Sequence, residues 1–333
     1  MGRRGRCGAR QGAHRGGALR DALTMTLPIL LLVGAGVGCS SGQRTAGGGS
    51  AAGAAPAPAP ADTVHHHAST ANGAPDEVIT GPQGADAQFV VECEYSHAGL
   101  DDPIVHPGMP GASHLHVFFG NSTTDAYSDL ESLNAGDTTC DQQLDRAAYW
   151  APALLDRGKL IAPVKSTAYY RAGIGVDPTT VQPYPAGLAM VAGNAAADVP
   201  QPVAVTAWTC GTGSDREAVP PTCPDNRFLR LLVTFPDCWD GQHLDSANHI
   251  DHVAYSSGGH CAAAHPVPIP QLQFSVEFHH TGSPEGLELA SGGLLTGHAD
   301  FLNAWDPEKL ATEVRSCLHR KVVCGITSGR KSG

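Results

Sequence analysis

Between Gln88 and His279 the chain returns again and again to short segments rich in Val, Phe, Tyr, Thr and Leu, each cut off by Gly, Pro, Asn or Asp. That punctuation constrains the fold more than any other feature. With 40 glycines and 25 prolines in 333 residues there are few places for a long helix, because glycine adds backbone entropy and proline removes a donor. Strands are expected near Gln88–Tyr95, His114–Phe119, Ala168–Ala172, Leu188–Ala192, Val203–Thr209, Leu229–Phe235, His252–Tyr255 and Leu272–His279. In the last of these, Leu272, Phe274, Val276 and Phe278 should face the core while Gln273, Ser275, Glu277 and His279 face water. One helix is expected, capped by Asp306, with Pro307 at its first position and Leu310, Val314, Cys317 and Leu318 forming an apolar stripe. The expected class is mainly β: an antiparallel β-sandwich, jelly-roll-like, with long loops, disulfides and a C-terminal helix.

The first 80 residues do not share this pattern. Six arginines up to Arg20 precede an apolar run from Ala22 to Gly38 that ends in Gly36-Val37-Gly38-Cys39-Ser40, the order of a secretory signal closing on a lipobox with Cys39 as the lipidated residue. From Gly42 to Asp76 the chain is almost only Gly, Ala, Ser, Pro and Thr, too poor in apolar side chains to fold. The expected organisation is a signal peptide with lipobox at 1–39, an Ala/Pro/Gly linker at 40–80, a single domain at 81–324 and a flexible tail at 325–333. Export to the cell surface or beyond follows, as a lipoprotein or a secreted protein, with membrane contact only through a lipid anchor.

Without its first 44 residues the chain keeps 14 basic against 31 acidic residues, a net charge of −17. Such a field disfavours nucleic acid and anionic membrane and suits cations. Beyond Cys7 and Cys39 there are eight cysteines, Cys93, Cys140, Cys210, Cys223, Cys238, Cys261, Cys317 and Cys324. An even number in an exported chain points to disulfides, with the pairing left open. No Rossmann glycine fingerprint, P-loop or G-x-S-x-G elbow occurs, so nucleotide chemistry and the common serine-hydrolase layout lack support.

The histidines are grouped. His114 and His116 are two apart on an expected strand and so share a face with Phe118. His249 and His252 bracket Asp251, and His298 stands two before Asp300. Taken one by one, the His114–His116 and His298 groups read better as ordinary polar residues, and the His249–His252 group reads equally well as a hydrogen-bonded turn. Taken together, the five imidazoles exceed the three or four that a zinc, copper or iron site requires. Trp150, Tyr170 and Trp239 could supply an aromatic surface for a sugar ring, or could be core.

The ordered motifs Asp102-Pro103-Ile104-Val105, Ser113-His114-Leu115-His116, Tyr149-Trp150-Ala151-Pro152, Phe235-Pro236-Asp237-Cys238-Trp239-Asp240-Gly241, His249-Ile250-Asp251-His252 and Gly297-His298-Ala299-Asp300-Phe301 resemble the DUF1996 family. The resemblance spans roughly Phe89 to Leu318. It implies export and an origin in actinobacteria or fungi, and it brings no established reaction. His114, His116, His249, His252, His265 and His298 occupy positions of the family's pattern, whereas His106 falls at a variable one and is set aside. Cys324 lies beyond the family's core, and its expected partner is Cys317.

The functional expectation is an exported, monomeric envelope protein whose His114, His116, His249, His252 and His298 hold a divalent transition metal, zinc or copper. Asp251 or Asp300 would act as general base or orient a ligand, and the substrate would be a cell-wall or environmental polysaccharide. The alternative is a module without catalysis that binds glycan or metal with the same residues.

Overall fold

The computed structural model describes residues 78–79, 87–211 and 215–325. Nine of the eleven strands of the main sheet form its continuous path: β1 Gln88–Gly99, β2 His116–Gly120, β3 Ala148–Pro152, β4 Pro163–Arg171, β5 Ala189–Gly193, β6 Thr206–Cys210, β7 Leu229–Thr234, β8 Gln271–Phe278 and β9 His298–Leu302. Their spatial order is β5-β9-β3-β2-β1-β4-β8-β7-β6, and every neighbour is antiparallel. The sheet curls until its ends nearly meet. Gln201 and Thr206, at the β6 end, donate to the carbonyl of Gly297 just before β9, and the Trp208 indole donates to the Leu294 carbonyl. A Cβ at Gly297 would lie 2.5 Å from Thr206 Cγ2, so the approach depends on glycine.

The two halves face each other across an aromatic core, as expected of a sandwich. Phe274 on β8 meets Phe119 of β2 edge-on at 5.7 Å and stacks on Tyr149 of β3 at 5.5 Å. Leu272, Phe274, Val276 and Phe278 are all buried, as their alternation predicts. Their opposite face is less wet than expected. Gln273 and Ser275 are also buried, because β8 is interior to the sheet and polar neighbours cover it: Arg216 and Thr234 bond Gln273, and Arg230 pairs with Glu277.

Two strands that frame the site, β3 and β9, escape the sequence pattern for one reason. Every residue of Ala148–Pro152 and of His298–Leu302 is buried, so both faces are covered and no hydrophobic alternation marks them. A short helix, α1 (Leu130–Ala135), was also not expected; Asp129 and Ser132 close it with a capping box. The expected C-terminal helix, α2 (Pro307–Glu313), starts as read: Asp306 accepts from the Lys309 amide and Pro307 takes the first turn. It continues through a π-type turn, Val314–Leu318, which keeps Val314, Cys317 and Leu318 in the core.

All eight domain cysteines are paired, Cys93 with Cys140, Cys210 with Cys223, Cys238 with Cys261 and Cys317 with Cys324. Cys317–Cys324 fastens the end of the helical segment to Val323–Gly325, a short strand that runs parallel to β1. Cys39 and the linker's His65, His66 and His67 lie outside the described residues. No helix among the described residues is long and apolar enough to cross a membrane.

Candidate metal centre

The site forms on the face of the sheet turned away from the main core. On β2, Val117 and Phe119 enter the core, which sends His116 and Phe118 to the other side; on β9, Ala299 and Phe301 enter it, which sends His298 and Asp300 the same way. Trp150 of β3 lies between, opposite both Phe118 and Asp300 in the ladders. Phe118 and Trp150, with Ile104, Leu133, Ala148, Ala189, Leu302 and Ala304, make a second apolar cluster that serves as a dry floor.

The chain from Leu100 to Ser113 folds over this face. One carboxylate oxygen of Asp102 accepts from the amides of Ile104 and Val105, the His106 amide donates to the Asp102 carbonyl, and the Ser113 amide donates back to Leu100. This returns the chain to His114, which sits just ahead of β2 rather than on it, with its ring 4.2 Å from that of His116.

Three imidazoles converge. A ring nitrogen from each of His114, His116 and His298 lies within 4.8 Å of the others, and His114 Nε2 is 3.1 Å from His298 Nε2. Nitrogens bonded tetrahedrally to zinc at about 2.0–2.1 Å stand roughly 3.3 Å apart, so the spacing fits a shared ion. The tautomers fit too. His116 Nδ1–H donates to the Asp101 carbonyl at 2.9 Å and His298 Nδ1–H donates to the Thr296 carbonyl at 2.8 Å. Both rings therefore present a bare Nε2 to the centre, the arrangement by which a carbonyl behind a histidine fixes it as a metal ligand. His116 Nε2 is buried without a hydrogen-bond partner.

Electrostatics keep all three rings neutral. Burial pushes His298 down to about 4, with the Thr296 carbonyl opposing. Burial and then the neighbouring His114 and His298 hold His116 well below the usual range, and burial followed by His106 lowers His114. Behind His116, a carboxylate oxygen of Asp102, one of Asp300 and a nitrogen of His116 also lie within 4.8 Å of one another. Neither oxygen of Asp300 has a hydrogen-bond partner, and burial, then the nearby Asp102, hold it well above the usual carboxylate range. The Trp150 indole N–H meets no acceptor of sound geometry, yet it is close enough to the Asp102 carboxyl to favour its charged form against the burial that raises it.

Residues 102–305 match a family described only as a domain of unknown function, DUF1996. The chain belongs to this family. No curated protein and no solved structure matches it. The matched stretch runs from Asp102 to Trp305 and so contains every ligand candidate of this DUF1996 site.

The other expected site residues lie elsewhere. His249 pairs with Asp245, and His252 uses both nitrogens, bonding Ser246 Oγ at 3.0 Å and the Ala189 carbonyl at 2.7 Å. Asp251 is exposed, and its carbonyl accepts from His265. This second histidine group braces the loop after β7 and β5 against each other instead of joining the triad. The aromatic surface must be corrected as well: Trp150 and Tyr170 are both 0% exposed, one in the floor cluster and one in the main core, so neither can stack on a sugar. Trp239 is half-buried, its indole donating to the His243 carbonyl. Sequence reasoning missed Asp102, although the Asp102-Pro103 motif was in view, and His106 was set aside although its charge bears on His114, His116 and Asp102. Two further clusters with ligand-like spacing, around Cys93–Cys140 and Cys317–Cys324, consist mainly of disulfide sulfur and are not ligand sets.

Proposed function

We propose that this protein is exported and holds a divalent transition metal, zinc or copper, on Nε2 of His114, His116 and His298, as a metal-dependent enzyme acting on an extracellular polymer such as wall polysaccharide. The observation that carries the reading is the convergence of three neutral imidazoles, two of them locked from behind by backbone carbonyls. Three protein ligands with a free position are the pattern of catalytic rather than structural zinc, and His114, half-buried where the other two are buried, marks the open side. Bound there, the ion would act as a Lewis acid and lower the pKa of water. His116 and His298 hold fixed lone pairs toward it, and the apolar floor under Trp150 excludes bulk water from behind. Four disulfides support an oxidising, extracellular setting.

A second reading, a metal-binding module without catalysis, draws support from the burial of Trp150 and Tyr170, which removes two of the aromatic residues that could have gripped a glycan. Metal analysis of the purified protein, followed by incubation with wall polysaccharides, separates the two. Tightly held metal and released oligosaccharide are expected. Tight metal without product would favour the module, and no stoichiometric metal would end both readings.

A further inference from the structure

The carboxylate pair behind the triad is not needed to hold an ion on three histidines, and hydrogen bonding leaves its Asp300 member unsatisfied. Asp300 is 1% exposed with both oxygens unpartnered, Asp102 is 4% exposed, and His116 is fully buried with Nε2 unpartnered. Groups left this way in a dry interior are costly unless something sits between them. One oxygen from each acid and one nitrogen of His116 fall within 4.8 Å of each other, spacing that a common cation would bridge. Two local features place the acids: extended backbone in β9 puts Asp300 on the face of His298, and the turn amides of Ile104 and Val105 fix the Asp102 carboxylate by one of its oxygens.

We propose a second cation seat behind the histidine triad, formed by Asp102, Asp300 and Nε2 of His116. This inference rests on the metal reading of the triad and extends it to a two-ion centre. The donor sets differ in chemistry. The outer seat is all imidazole and suits zinc or copper, whereas the inner one has two hard oxygens and one nitrogen, which also suits manganese. Two carboxylates match the charge of one divalent cation. Because Nδ1 of His116 is committed to the Asp101 carbonyl, the ring has a single free lone pair. With both seats filled it serves the inner ion, and His114 and His298 keep the outer one.

Native mass spectrometry of the full chain, stripped with chelator and titrated with Zn²⁺ or Mn²⁺, reads the stoichiometry directly. The linker histidines are removed as competitors in every sample by His65→Ala, His66→Ala and His67→Ala. Two equivalents are expected in this background, falling to one in Asp300→Asn and to one in His114→Ala, with Asp102→Asn repeating the loss should Asp300→Asn not give a native circular-dichroism spectrum. Saturation at one equivalent, with Asp300→Asn still binding one, would overturn the inner seat while leaving the triad intact and would assign the pocket to ordered water. Absence of any bound ion would overturn the triad reading itself.

Discussion

At the scale of single residues, two histidines with nearly the same burial do opposite jobs, and the difference lies in what their second nitrogen meets. His298 gives Nδ1 to a carbonyl and turns Nε2 to another imidazole, His114, while His252 spends its nitrogens on a hydroxyl and a carbonyl. His298→Ala should therefore weaken Zn²⁺ binding by more than the ~10–100-fold typical of losing a partner behind a ligand. His252→Ala should keep affinity within about twofold yet lower stability by roughly 1–3 kcal/mol through unpaired buried groups; competition titration and urea unfolding measure the two effects. A second buried acid makes a pH prediction far from the metal. The Trp305 indole donates to Tyr170, Tyr170 to Tyr149, and Tyr149 to Asp145, whose carboxyl burial raises to about 8. Folded Asp145 holds its proton where the unfolded chain, at an ordinary carboxylate pKa, has lost it. Its contribution to stability is full below about pH 4, declines as pH rises toward 8 and is flat above. Unfolding midpoints compared at pH 5 and pH 8 should show a smaller fall in Asp145→Asn than in the parent; an equal fall would assign the pH dependence to other groups.

At the scale of elements, the strand that delivers His116 ends on a backbone requirement. Gly120 has φ +74°, and a Cβ there would sit 2.3 Å from the Ala147 carbonyl oxygen of the adjoining chain. Gly120→Ala should cost more than about 1 kcal/mol, because it meets both a disfavoured backbone conformation and a clash, and it should loosen metal binding by shifting β2. The helix that closes the core is more tolerant: Asp306→Ala loses the cap on Lys309 and should cost about 1 kcal/mol in urea unfolding with metal affinity unchanged. The elements readable in the sequence carried apolar alternation, as β8 does, or a capping signature, as α2 does. β3 and β9 were not readable, because strands covered on both sides carry no alternation and because His298 and Asp300 look like loop residues until the site gives them a reason to be buried.

At the scale of the whole molecule, ligands drawn from opposite ends of the domain should couple metal binding to folding. His114 and His298 are 184 residues apart in sequence, so no comparable site survives unfolding. Zn²⁺ at about 100 times its dissociation constant should add roughly 2.7 kcal/mol of stability, seen as a rise in melting temperature that a chelator reverses and that His116→Ala abolishes. The sequence by itself determined the class of fold, an antiparallel β architecture with a C-terminal helix, because punctuation by Gly and Pro, strand-length apolar runs and a cap are local signals. It also determined membership of DUF1996, and it put His114 and His116 close together in the chain, although the loop ahead of β2, not strand alternation, is what sets the His114 ring beside that of His116. Only the tertiary structure decided which distant partners join them. The strand order sets β9 two strands from β2, which brings His298 and Asp300 to His116, while the His249–His252 loop is fastened to β5 by its own hydrogen bonds. Nothing in their spacing along the chain distinguishes these two outcomes, because convergence is a property of strand order and not of sequence separation.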